Sequence, residues 1–227
     1  LVDTDSFSPL EKQLFDELVD WDYRELAEMR TPTIYEEWWA RLSHMIWDDE
    51  MRSPWGQLEP PRRDVTTQLI LEEPQSQFFD DVRTVEEETL SDLVNTSFRE
   101  IIVAIVDEVG EPSPLWRWGR YRGTDIKHLA ALPALSHLGV PTGGSSATVA
   151  ASSAVHGVSW RMIVELTDPP QAWGIYPGGQ SGNPGSQFYD NQIDSWLSGD
   201  YYKLNFLTTL DGSLDSYSVS TIMRGGQ

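Results

Sequence analysis

The stretch "TVEEETLSDLVNTSFREIIVAIVDEVG", Thr84 to Gly110, constrains the fold more than any other part of the sequence. Its apolar residues recur at helical spacing, its acidic residues crowd the first turns where the helix macrodipole favours negative charge, and Gly110 supplies a stop. A long amphipathic helix is predicted, and it needs other apolar faces to pack against.

Two earlier segments offer such faces. In "SPLEKQLFDELVDW", Ser8, Pro9 at the first helical position and Glu11 form a capping-box pattern, and Leu10, Leu14 and Leu18 with Phe15 and Val19 make a stripe. "TPTIYEEWWARLSHMIWDDE" repeats the design, with Thr33 as the expected cap and Ile34, Trp38, Leu42, Met45 and Ile46 as the buried face. His44 has no second ligand at metal spacing and reads as a surface or structural histidine. Between residues 51 and 77, prolines 54, 60, 61 and 74 predict an irregular connection with one short helix. The first part, 1–123, is thus mainly helical.

Beyond Gly123 the composition shifts to Ser, Gly and β-formers, and 124–227 is expected to be strand-rich. Val158 to Glu165 and Gln171 to Tyr176 flank Asp168-Pro169-Pro170 and predict a hairpin. Val158, Trp160, Met162 and Val164 alternate with Ser159, Arg161, Ile163 and Glu165, giving one apolar and one mixed face. "YKLNFLT" and "SLDSYSVSTIM" are weaker strand candidates. The fold class is α+β.

With 227 residues, 39% hydrophobic and 11% aromatic, the chain can bury a sizeable core. Sixteen basic against 36 acidic residues give a net charge of −20, the wrong sign for following a phosphate backbone, so no nucleic-acid partner is expected. The absence of cysteine excludes thiol nucleophiles and thiolate metal sites. Apolar runs such as "IIVAIV" are too short for a membrane helix, which needs roughly 20 residues. A start at Leu1 without a basic or apolar leader reads as the interior of a longer polypeptide.

The loop "PGGQSGNPGS" after the hairpin has glycines but no Lys-Ser/Thr ending for phosphate, and Ser181 lacks the second glycine of a nucleophile elbow. His128, His137 and His156 offer triad residue types without a triad signature. The carboxylate pairs Asp48/Asp49 and Asp190/Asp194 read as solvated or capping groups. Tight packing of backbone on backbone accounts for the glycines, Pro184 fixes a turn, and Tyr189 to Leu197 can begin a helix.

"HGVSWRMIVEL" followed by "PGGQSGNPGSQFYDNQIDSWLSGDYYKLNF" closely resembles the C-terminal end of the penicillin acylase, or penicillin amidase, family. The matching residues include His156-Gly157, Trp160-Arg161, the run Gly178, Gly179, Gln180, Ser181, Gly182, Asn183 and Pro184, then Tyr189-Asp190, Gln192, Trp196 and Gly199. "WDY" at 21–23, "TIYEEWW" at 33–39, "WRWG" at 116–119 and "VPTGGSSATV" at 140–149 agree in order. Where many members carry a histidine soon after the Trp-Gly pair, this sequence has Arg122.

The resemblance implies an N-terminal-nucleophile hydrolase with a four-layer αββα core, made as a precursor that cuts itself into two chains. Its terminal serine attacks the amide of an N-acyl compound, penicillin-like or other, with its own α-amine as general base. This chain lacks that serine and reads as the C-terminal part of the larger chain. No catalytic or metal residue is assigned here, and any calcium belongs to absent segments. His156, Arg161 and Gly178 to Pro184 are expected to be structural or near the active site. The expected partners are the remaining precursor segments and, in the full enzyme, the N-acyl amide. The resemblance implies a periplasmic or extracellular location, and exposed strand edges in the isolated chain predict dimers. The alternative reading is a non-catalytic binding or assembly module.

Overall fold

A computed structural model describes residues 2–53 and 56–204, in two compact units, Leu1–His156 and Gly157–Gln227. The architecture is α+β, with six α-helices and small antiparallel sheets among the described residues. The composition change at Gly123 falls inside the first unit, where two strands follow the helices.

The first unit opens with α1, Pro9–Val19. Its capping box forms as expected: Glu11 N–H donates to Ser8 Oγ and Ser8 N–H to Glu11 Oε2. Helix α2 spans Thr31–Trp47 and starts before the expected cap. Thr33 lies inside it, fully buried, and its hydroxyl donates to the Trp116 carbonyl at 2.8 Å instead of capping. Leu42 and Ile46 are buried with Ile34, while Trp38 and Met45 are half-buried. His44 is exposed, with Nδ1 3.0 Å from Asp48 Oδ1. In the proline-rich connection, the two-residue strands β1 (Arg52–Ser53) and β2 (Gly56–Gln57) precede α3, Arg63–Glu72, the one short helix expected there.

Helix α4 spans Leu90–Val109, later than the sequence pattern suggests. Thr89 and Asp92 close a capping box at its head, so Glu86, Glu87 and Glu88 precede the helix. There the Glu88 carboxylate accepts from Asp81 N–H and Thr84 Oγ1 instead. At the other end Gly110 adopts φ +82, which ends the helix as expected. Thr89→Ala removes the cap and is expected to cost about 1 kcal/mol, read as a lower urea midpoint at unchanged slope.

Two apolar clusters hold the helices together. One joins Leu14 and Leu18 of α1, Ile34 of α2, Phe98, Ile101, Ile102 and Ile105 of α4, and Trp21 and Trp116. The other joins Leu42, Ile46 and Trp47 to Phe79, Leu90, Leu93 and Val94. Between them, Trp38 donates its indole N–H to Ser97 Oγ at 3.0 Å and packs edge-on against Phe98. The unit ends with the short α5 (Trp118–Tyr121) and the antiparallel pair β3 (Thr124–Ile126) and β4 (His137–Val140).

The second unit is a three-stranded antiparallel sheet in the order β5 (Arg161–Glu165), β6 (Gln171–Ile175), β7 (Tyr202–Leu204), with α6 at Ile193–Ser198. The hairpin expected around Asp168-Pro169-Pro170 is present, but its first strand starts at Arg161 rather than Val158. The Val158 carbonyl accepts from the Trp196 indole at 2.9 Å, and Trp160 lies over Gly174, where an added Cβ would sit 2.6 Å from its ring. Those contacts take the segment out of the ladder. Helix α6 likewise starts late, with Gln192 at its N-cap and the Gln192 N–H donating to the Gly178 carbonyl at 2.9 Å. The start of "YKLNFLT" forms β7, and "SLDSYSVSTIM" lies outside the described residues. Among the described residues no helix is long and apolar enough to cross a membrane.

Candidate functional site

The segment Glu25 to Met29, between α1 and α2, is neither helix nor strand, so its backbone groups need partners from elsewhere. Two distant motifs provide them. Trp118 N–H donates to the Met29 carbonyl at 2.7 Å and Gly119 N–H to Ala27 at 2.9 Å, while Gly144 N–H donates to Glu25 at 2.8 Å. The Trp118 indole then ties the two motifs to each other by donating to the Gly144 carbonyl at 2.8 Å. Gly119 must be glycine, since a Cβ there would lie 2.7 Å from Ala27 Cβ and 3.0 Å from the Pro141 backbone.

An ionic cluster sits beside this strap. Glu36 on α2 and Arg63 on α3 form a bidentate pair at 2.9 and 3.0 Å, with the Arg63 guanidinium over the Tyr35 and Trp39 rings. Arg122 lies 4.4 Å over Trp118 and donates to the Ser152 carbonyl, Ser152 Oγ and Thr142 Oγ1 at 2.9 to 3.0 Å. Thr142 in turn meets Thr124 Oγ1 at 2.5 Å. Arg122 thereby pins the head of β3 to the loop that follows β4.

Glu25 is the strained member of the cluster. Burial raises the pKa of its carboxyl, a hydrogen bond with Ser145 opposes the rise, and the neighbouring Glu36 charge adds to it. Its Oε2 is buried without a hydrogen-bond partner among the described residues, as is Arg122 Nε. An ionised carboxylate only accepts, so the neighbouring Glu36 charge disfavours the ionised form of Glu25, in the same direction as burial. Burial also lowers the pKa of Arg122, against the pull of Glu25 and Glu36. The hydroxyls of Thr124, Thr142 and Ser152 in this network are engaged in the hydrogen bonds that brace it.

The residues singled out from sequence occupy both units. His156 is exposed at the end of the first, its Nδ1 2.9 Å from Ser153 Oγ in a local turn. In the second, Arg161 donates to the Trp196 carbonyl at 2.9 Å with its guanidinium 5.0 Å from the ring centroid, fastening β5 to α6. Glu165 is exposed.

The loop from Gly178 to Pro184 is braced by its own arm. Ser181 N–H donates to the Phe188 carbonyl at 3.0 Å, Asn183 N–H to Ser181 Oγ, and Gly185 N–H to Asn183 Oδ1. At Gly179 an added Cβ would lie 2.0 Å from the Phe188 carbonyl oxygen, so backbone packs directly on backbone. Gln180 and Pro184 are exposed. Among the described residues no group of three or more His, Asp or Glu is arranged to hold a metal.

Sequence reasoning passed over Glu25, Glu36 and Arg63. A signal existed for Glu36: "TIYEEWW" places two carboxylates within an aromatic helical face, where an unpaired charge is costly. Glu25 carries no comparable mark, and Arg122 stood out only as a departure.

The motifs that meet at the strap and in the loop correspond to one family. A family model described as Penicillin amidase matches residues 2–209, and the chain belongs to that family. Among its relatives is the acyl-homoserine lactone acylase QuiP of Pseudomonas aeruginosa PAO1, 24% identical over 227 aligned positions that cover 86% of this chain and 27% of the relative. The QuiP acylases of Pseudomonas syringae pv. syringae B728a and Pseudomonas fluorescens Pf0-1 are 27% and 29% identical, each over 60% of this chain and 18% and 17% of their own length. The chain thus spans 27% or less of the length of these curated relatives.

Proposed function

We propose that this chain is the C-terminal part of the larger chain of an acylase that hydrolyses the amide bond of N-acyl compounds. The observation that carries this reading is the family match over residues 2–209. The attacking serine stands at the head of that larger chain, outside these residues. Its hydroxyl adds to the amide carbonyl, its own α-amine takes the proton and passes it to the leaving amine, and water then cleaves the acyl ester. Because the relatives are acyl-homoserine lactone acylases, N-acyl homoserine lactones are the first substrates to test.

The role of these residues is then architectural: the strap, the Arg122 clamp and the self-braced loop hold framework for an αββα core completed by the rest of the precursor. The exposure of Met162, Ile163 and Val164 on β5, at 54%, 51% and 42%, supports a covering segment there. Any calcium site is assigned to those other segments, and the location is periplasmic or extracellular.

The test compares the 227 residues with the full-length precursor on N-acyl homoserine lactones and on phenylacetyl and aliphatic anilides. Hydrolysis by the precursor alone is expected. Activity in the isolated chain overturns the assignment of roles, and a correctly self-cleaved precursor that hydrolyses none of the panel overturns the acylase reading.

A further inference from the structure

A cavity of about 550 Å³ lies in the first unit, lined by Ala27, Pro114, Leu115 and Pro141 with Arg117, Arg120 and Glu28. It is a wide-mouthed groove rather than an enclosed chamber, and its lining is mainly apolar apart from the three charged residues. Rigid elements fix its shape. Gly119 brings Ala27 and the Pro141 backbone into close approach, and Gly119 N–H locks onto the Ala27 carbonyl. On another side, the Pro114–Trp116 turn is anchored by the buried Trp116, whose indole donates to the Gly110 carbonyl and whose own carbonyl accepts from Thr33. Two proline rings on the lining leave little freedom to lose on binding.

The charges decide what the cavity fits. Arg117 and Arg120 are exposed and make no side-chain hydrogen bond or ion pair among the described residues, in a chain whose net charge is −20. Glu28 offsets one of them, which leaves the lining one positive charge in excess. We propose that this cavity is a binding site for an amphipathic monocarboxylate, its carboxylate held by Arg117 and Arg120 and its apolar body against Ala27, Leu115 and the two prolines. Guanidinium groups pair with carboxylates by charge-assisted hydrogen bonds, and Glu28 disfavours a polyanion. Binding here requires no serine and no hydrolysis.

Titration calorimetry of the 227-residue chain with octanoate, octanol and octylammonium tests the site, each ligand kept below its aggregation concentration. Saturable binding of octanoate alone is expected, weakened by about tenfold or more in Arg117→Ala/Arg120→Ala and tightened in Glu28→Gln. Both arginines are exposed, and an unchanged circular dichroism spectrum and urea midpoint certify the fold of the variant. Octanol or octylammonium binding as tightly as octanoate overturns the proposal. So does octanoate affinity that survives loss of both arginines in a folded variant.

Discussion

Arg122→Met is expected to destabilise the first unit by about 2–4 kcal/mol near neutral pH. Methionine roughly keeps the volume over Trp118 but removes every donor that reaches Ser152 and Thr142. It also removes a positive charge that acts on Glu25 and Glu36. The cost depends on pH through Glu25. Burial raises its folded pKa above the unfolded value, so its contribution to stability is fully present below the unfolded pKa and is lost as pH rises through the folded one. Glu25→Gln imitates the protonated form, and its stability relative to the parent is expected to grow from acidic towards alkaline pH. Loss of Arg122 is expected to cost less in the Glu25→Gln background, where there is no carboxylate to leave uncompensated. Urea unfolding of the four proteins from acidic to mildly alkaline pH measures all of this. A pH-independent Arg122→Met effect within about 0.5 kcal/mol would remove the clamp from the account.

Gly179→Ala is expected to cost about 2–3 kcal/mol in the second unit. The new Cβ has no flexible neighbour to displace: its closest atoms are the Phe188 carbonyl and the Tyr189 backbone. Relief requires the two arms of the loop to part, which breaks the bond from Ser181 N–H to Phe188. Gly182→Ala is the matched control, because nothing lies within 4 Å of its Cβ position, and an effect within about 0.5 kcal/mol is expected. Hydrogen exchange at the Ser181 amide reports directly. Acceleration in Gly179→Ala with protection kept in Gly182→Ala is the expected result, and equal behaviour of the two variants would refute it.

Local signals in the sequence survive folding where local contacts decide. The Ser8-Pro9-Glu11 cap, the Gly110 stop and the turn at Asp168-Pro169-Pro170 all form as read, because each depends on neighbours within a few residues. The misses share the opposite cause. Thr33 does not cap because the helix already begins at Thr31, and its hydroxyl donates instead to the carbonyl of residue 116; β5 starts late because Trp196 takes the Val158 carbonyl. The ionic cluster was illegible for the same reason: Glu25, Glu36, Arg63 and Arg122 come from four separate segments, and no spacing rule links them. The reason for Gly179 was legible in kind, as close backbone approach, although its partner at Phe188 was not.

The strap at Glu25 to Met29 sets an order of events during synthesis and folding. Helices α1, α2 and α4 draw on sequence that ends at Val109, so their apolar faces can meet early. The strap's carbonyls wait for Trp118, Gly119 and finally Gly144. The Glu25–Gly144 pairing closes a longer loop than the contacts of α1 with α4, and loop-closure entropy grows with loop length, so it is expected to form last. A ribosome-bound chain halted before Gly144 would therefore carry its helices with the Glu25 carbonyl still open to solvent.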